Sequence, residues 1–177
     1  MNFTSSLPIL SARVLVFSDF NCPYCFTLNE WIHSLGMSKR IRWVGVEHRP
    51  DLPQKIPNKA PDKALLSSEV SDVQSRAPEV AVKTPLGWLN SRTTLMIQNA
   101  IEDDYPELAP QLRSLIFRRY WHDGDLAING ESLKEDLGAL GIELPFLEPD
   151  VLDEWSDWWK EELNRIPVMI APNGLCH

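Results

Sequence analysis

The chain has 177 residues and a mass of 20.2 kDa, room for one domain with at most an inserted subdomain. Seventeen basic residues against twenty-five acidic ones leave a formal charge of −8, and no Lys/Arg cluster breaks the acidic balance, so nucleic acid and anionic membrane surfaces are poor partners. Three cysteines are too few for a disulfide-stapled fold, and no apolar run approaches the ~20 residues of a membrane span.

Residues 1–12 contain no Lys or Arg, and their apolar residues are interrupted by Thr4, Ser5, Ser6 and Pro8, unlike a targeting signal. A reducing cytoplasm is the expected compartment, where a close cysteine pair is more often catalytic or metal-binding than structural. Val14 to Phe17 reads as a buried strand ending at Ser18-Asp19-Phe20-Asn21. Tyr24 to Leu35 reads as a helix with a stripe of Cys25, Leu28, Ile32 and Leu35, stopped by Gly36. Ile41 to Val46 is a second strand, so the opening reads strand–helix–strand, the pattern of a parallel crossover.

Pro50, Pro53, Pro57 and Pro61 then exclude regular structure until a helix running from Pro61 to Arg76. Leu86 to about His122 reads as two helices separated by Pro106, one with Leu89, Arg92, Thr93, Met96 and Ala100 on a face, the other with Leu108, Leu112, Leu115, Ile116 and Tyr120. Ser132 to Leu140 and Glu148 to Asn164 are further helices, and Val168 to Ala171 is a last strand behind Pro167. No polar linker isolates the helical block, which is expected to be a cap inserted into an α/β core: residues 1–58 and 148–177 for the core, 59–147 for the insertion.

Cys22-Pro23-Tyr24-Cys25 stands where the first strand hands over to the first helix. Unpaired N–H groups and the helix dipole favour an anion there, so Cys22 is expected to be exposed, nucleophilic and low in pKa. Cys25, one turn inward, is expected to be more buried and to resolve a mixed disulfide. Pro23 suits a first helical turn because its missing N–H has no intrahelical partner. Cys176 and His33, His48, His122 and His177 form no second spaced pair, although Cys176 with His177 leaves a zinc site open as an alternative.

The segment Val14-Leu15-Val16-Phe17-Ser18-Asp19-Phe20-Asn21-Cys22-Pro23-Tyr24-Cys25-Phe26 resembles the active-site segment of the DsbA-like thioredoxin-fold family, most closely its FrnE-type branch, which is related to 2-hydroxychromene-2-carboxylate isomerases. Weaker resemblances are carried by Trp43 to Pro53, by Asn90-Ser91-Arg92, by Phe117 to Asp125 and by Arg165-Ile166-Pro167-Val168. The resemblance implies a thioredoxin-like α/β core with an inserted all-helical cap. It implies that Cys22 and Cys25 are catalytic and that the Ile166–Pro167 bond is cis. Ile166 and Pro167, with Pro23 and Tyr24, would then bind an extended substrate. Against the family pattern the chain lacks the strand and helix expected after Val168–Ala171. Pro172-Asn173-Gly174 begins at most a hairpin turn, and the edge left open invites pairing with a second copy, a homodimer.

The resulting expectation is a thiol–disulfide oxidoreductase needing no resident cofactor or metal, with a protein thiol or glutathione as partner. Two alternatives stay open: a glutathione-dependent isomerase or transferase on an aromatic small molecule, with Asn90 lining a pocket, and a redox-inactive or zinc-holding interaction module. Asp19, Glu47 and His48, at the ends of the first two strands, are secondary candidates for moving protons or tuning the sulfurs. The tryptophans are expected in packing, and Asp153 to Glu162 as a solvated helix face.

Overall fold

The structure is a computed structural model and describes residues 13–52 and 63–176. The expectations for the N-terminal segment, for Pro53, Pro57 and Pro61, for the boundary at 58/59 and for His177 lie outside the described residues. Element order is β1 (Val14–Ser18), α1 (Pro23–Ser34), β2 (Ile41–Gly45), α2 (Lys63–Arg76), α3 (Arg92–Asp104), α4 (Ala109–Trp121), α5 (Gly130–Ala139), α6 (Pro149–Glu162) and β3 (Val168–Ile170).

β1 is the middle of a three-stranded sheet of order β2-β1-β3. It runs parallel to β2, with Val14 opposite Ile41 and Ser18 opposite Gly45, and antiparallel to β3, with Phe17 opposite Val168 and Leu15 opposite Ile170. A central strand covered on both faces needs an unbroken apolar run, and Val14-Leu15-Val16-Phe17 supplies it. Side chains alternate across the sheet with period two. Val16, Ile41, Trp43 and Met169 face the side of α1 to α5; Leu15, Phe17, Val44, Val46 and Ile170 face α6. On the α6 side Trp155 and Trp158 bracket Phe17, with ring centroids 5.9 and 5.2 Å away. On the other side Phe117 of α4 meets Phe20, Phe26 and Trp43 at 4.9, 6.0 and 6.1 Å, joining α4, α1 and the sheet in one core. Among the described residues the fold is thus the expected mixed α/β one: a small thioredoxin-like sheet with six α-helices around it.

Three local readings change. α3 starts at Arg92 rather than near Leu86, because the Tyr120 hydroxyl of α4 accepts from Leu89 N–H at 3.2 Å and donates to the Gly87 carbonyl at 2.9 Å, holding 87–89 as irregular chain. Leu89 is therefore buried in a loop instead of on a helix face. The buried side of α1 is Cys25, Phe26, Asn29 and Ile32; Leu28 is half-buried and packs against the main core, and Leu35 is exposed. After β3 the chain does turn back: Ala171 N–H donates to the Leu175 carbonyl at 2.8 Å, and Ile170 bridges Cys176 antiparallel.

Two close approaches fix the helices to the sheet. Gly45 lies so near α3 that a Cβ would come within 2.9 Å of Asn99 Oδ1 and Leu95 Cδ2. The Asn99 amide instead accepts from Gly45 N–H at 2.7 Å and donates to its carbonyl at 3.1 Å, acting as a strand partner for the outer edge of β2. Arg113 of α4 is only 2% exposed; it donates to Glu102 of α3 at 2.7 Å and to Asn29 of α1 at 3.0 Å, and its guanidinium lies 4.5 Å from the Trp43 ring centroid. Burial pushes the Arg113 pKa down to about 10 against the opposing pull of Glu102. A buried pair of this kind is costly to break and cheap to replace whole. Arg113→Met should therefore lose about 3–5 kcal/mol in urea unfolding, and adding Glu102→Leu should recover much of it. Equal losses in the single and double variants would refute this reading of the pair.

Candidate active site

The site is built on the loop between β1 and α1. Cys22 is the N-cap of α1: its backbone is extended (φ −104°, ψ 117°), its own N–H donates to the Asp19 carbonyl at 3.2 Å, and Pro23 opens the helix. Its Sγ accepts from the Cys25 N–H at 3.4 Å, so one sulfur satisfies a donor that the helix leaves unpaired. The loop is held from outside. Trp121 of α4 donates its indole N–H to the Phe20 carbonyl at 2.8 Å. The Asn21 amide donates to the Leu89 carbonyl at 3.1 Å and reaches the Ser91 hydroxyl at 3.4 Å.

The two sulfurs sit in opposite electrostatic settings. Burial pushes the Cys22 thiol up, but the hydrogen bond from the Cys25 thiol, the charge of His48 and the backbone N–H groups of Cys25 and Tyr24 outweigh it, leaving the pKa below the ordinary thiol value. Cys25 is pushed well above that value by burial first, then by its hydrogen bond to Cys22 and by the charge on that sulfur. The expected asymmetry of the pair is present, with one correction. Cys22 is not open to solvent but 5% exposed, against 0% for Cys25, because the chain packs over it within the main hydrophobic cluster.

Asp19 and His48 come together beside the pair. Asp19 is fully buried; its Oδ2 accepts from His48 Nδ1 at 2.8 Å and His48 N–H at 3.0 Å, and its Oδ1 accepts from Asn21 N–H at 3.3 Å. Glu47 is turned elsewhere: Arg92 donates to it at 2.7 Å and clasps Asp153 with two bonds of 2.8 and 3.0 Å. Asp153 is therefore a tether to α3 rather than part of a merely solvated face. Asn90 is held by hydrogen bonds: its amide donates to the Leu52 carbonyl at 2.9 Å and its Oδ1 accepts from Arg92 N–H at 3.3 Å.

The Ile166–Pro167 peptide is cis. Because β3 runs antiparallel to β1, Pro167 arrives next to Ser18, at the sheet end from which the cysteine loop leaves. Pro167 and Met169 form one wall of an open cleft of about 390 Å³. Tyr24, Leu28 and Trp31 of α1 form its floor, and Val73, Arg76 and Ala77 at the end of α2 form the far wall. Tyr24 donates to Asp72 at 2.9 Å, which ties α1 to α2 beside the motif; burial and this acid push its hydroxyl up to about 12. Cys176 pairs with Ile170, hence at the level of Leu15, toward the opposite end of β1 from Cys22. Among the described residues no group of three or more His, Cys, Asp or Glu side chains could hold a metal ion, and no helix is long and apolar enough to cross a membrane.

Sequence reading missed Asn21 and Trp121 as supports of the loop. A buried Asn just before the cysteines was the one visible signal, and it has no periodicity to mark it.

No protein-family model matches the chain, and no curated protein matches it either. Among solved structures, it is similar to one described as a "putative protein disulfide isomerase from Nitrosomonas europaea", with a TM-score of 0.68, 11% identity, and coverage of 88% of this chain and 82% of that one. At that identity the likeness shows a shared fold.

The paired cysteines should differ in reactivity. Reduced protein alkylated with iodoacetamide between about pH 5 and pH 10 should label Cys22 with a midpoint below the ~8.5 of a free thiol. The thiolate, and hence the rate, rises as pH climbs through the lowered pKa, while Cys25 stays unlabelled through neutrality. Peptide mass spectrometry reads both, and equal labelling of the two would contradict the asymmetry.

Proposed function

We propose that the protein is a thiol–disulfide oxidoreductase with Cys22 as nucleophile and Cys25 as resolving thiol. The observation that carries this reading is the pair itself: two sulfurs one helical turn apart at the N-terminus of α1, one favoured as thiolate and the other held as thiol. The fold shared with a structure described as a disulfide isomerase supports it, and the resemblance of residues 14–26 favours the DsbA-like class and, within it, the FrnE-type branch.

The chemistry balances without a resident cofactor. The Cys22 thiolate attacks one sulfur of a substrate disulfide; a Cys22–substrate bond forms, the substrate S–S bond breaks, and the leaving thiolate takes a proton. Cys25 gives up its proton and attacks the Cys22 sulfur, forming the Cys22–Cys25 disulfide and releasing the second substrate thiolate. The substrate gains two electrons and the dithiol loses two; the reverse sequence oxidises a substrate dithiol. A small thiol such as glutathione, abundant in the expected cytoplasm, would return the protein to the dithiol form.

The cleft supports a substrate-binding role for Tyr24 and Pro167, which line it and adjoin Pro23 and Ile166 in the chain, because its apolar walls suit an apolar side chain of a substrate. One wall is α2, from the segment 59–147, which fits that insertion acting as a cap.

The test is turnover. With dithiothreitol and insulin, Cys22→Ser should fall to the uncatalysed rate. Cys25→Ala should accumulate a mixed disulfide between Cys22 and substrate, visible on a non-reducing gel. Full activity in Cys22→Ser would overturn the assignment.

A further inference from the structure

A charged pair beside the dithiol remains outside that chemistry. His48 follows β2 and Asp19 follows β1, twenty-nine residues apart in sequence and in contact in space. Every hydrogen bond of the Asp19 carboxylate restrains something near the sulfurs: Oδ1 takes Asn21 N–H in the cysteine loop, and Oδ2 takes both the backbone N–H and the ring Nδ1 of His48. A carboxylate only accepts, so Nδ1 carries the proton and Nε2 is the ring nitrogen left to titrate. The His48 side chain is 23% exposed and so reaches solvent, while Asp19, at 0%, is enclosed.

We propose that His48, clamped by the buried carboxylate of Asp19, is the positioning residue whose positive charge keeps the Cys22 sulfur as a thiolate, making the site a Cys22–His48–Asp19 array. The proposal rests on the oxidoreductase reading and names the group that regulates its nucleophile.

The charges around His48 on each neighbouring element agree with this. Asp19, from the loop after β1, and Cys22, at the start of α1, both favour its protonated form; Arg49, its chain neighbour, opposes it from a position 4.7 Å above the Trp88 ring. Glu47, on its other side, is neutralised by Arg92. Burial lowers the His48 pKa, but the hydrogen bond and charge of Asp19 and the charge of Cys22 carry it above the usual value. The same attraction acts on Cys22 in the opposite direction. Two groups that favour each other's charged forms titrate as a pair. Where thiolate and imidazolium are both present, each stabilises the other, and as pH rises through the His48 midpoint that attraction is lost.

Two reciprocal titrations test this, neither needing a disulfide substrate. The Cys22 alkylation rate against pH should show its midpoint displaced upward in His48→Asn, with a rate about tenfold lower near pH 6.5, one pKa unit being tenfold in thiolate. In the other direction, the His48 ring proton followed by NMR should titrate at lower pH in Cys22→Ser, and lower again in Asp19→Asn. Should the buried Asp19→Asn not fold, the Cys22→Ser arm stands by itself, since that side chain is nearly isosteric. An alkylation profile of His48→Asn superimposable on the wild type, or a His48 midpoint unmoved in Cys22→Ser, would overturn the array. Both shifts in the variants, together with no insulin reduction by the wild type, would remove the proposed function and leave the array in place.

Discussion

The Asp19–Cys22 loop is held in place by groups from the far side of the sequence, and the chemistry depends on that restraint. Trp121 anchors the Phe20 carbonyl, Asn21 reaches the chain at Leu89 and Ser91, and Asp19 gathers the N–H groups of Asn21 and His48. These bonds decide where β1 stops and where α1 can start. Cys22 then becomes the N-cap, and Cys25 falls one turn later with its N–H on the first sulfur. A helix begun one residue later would leave the first sulfur without the N–H groups that stabilise its charge.

The same restraint explains why the two cysteines differ although both are buried. Desolvation alone would raise both pKa values. At Cys22 it is overcome by donors and a cation; at Cys25 it is reinforced by the neighbouring sulfur's charge. Burial is therefore not the switch between them; the direction of hydrogen bonding is.

Much of this was legible in the sequence where local rules apply. The apolar run of β1, Pro23 at a helix start, and the glycines at Gly36 and Gly141, each with positive φ just after a helix, all act within a few residues. The motif placed the sulfurs, and the resemblance at residues 165–168 led to the expectation of a cis bond at Pro167. What escaped is what depends on contacts between distant segments. Nothing near Leu86 announces that Tyr120 will hold residues 87–89 out of a helix. The buried contact between Arg113 and Glu102 exists only once α1, α3 and α4 close over it. The pairing of Asp19 with His48 rather than Glu47 depends on how the ends of β1 and β2 meet, which periodicity does not encode.

The central claim is that Cys22 and Cys25 form a reversible redox pair. It is tested most directly by equilibrating the protein in glutathione buffers of graded ratio, quenching with acid, and measuring intact and peptide masses. The account predicts one two-electron transition in which the protein loses two hydrogens, with the bridge mapped to Cys22–Cys25 and Cys176 outside it. Persistent free thiols across the series, or glutathione adducts with no Cys22–Cys25 bridge, would contradict it.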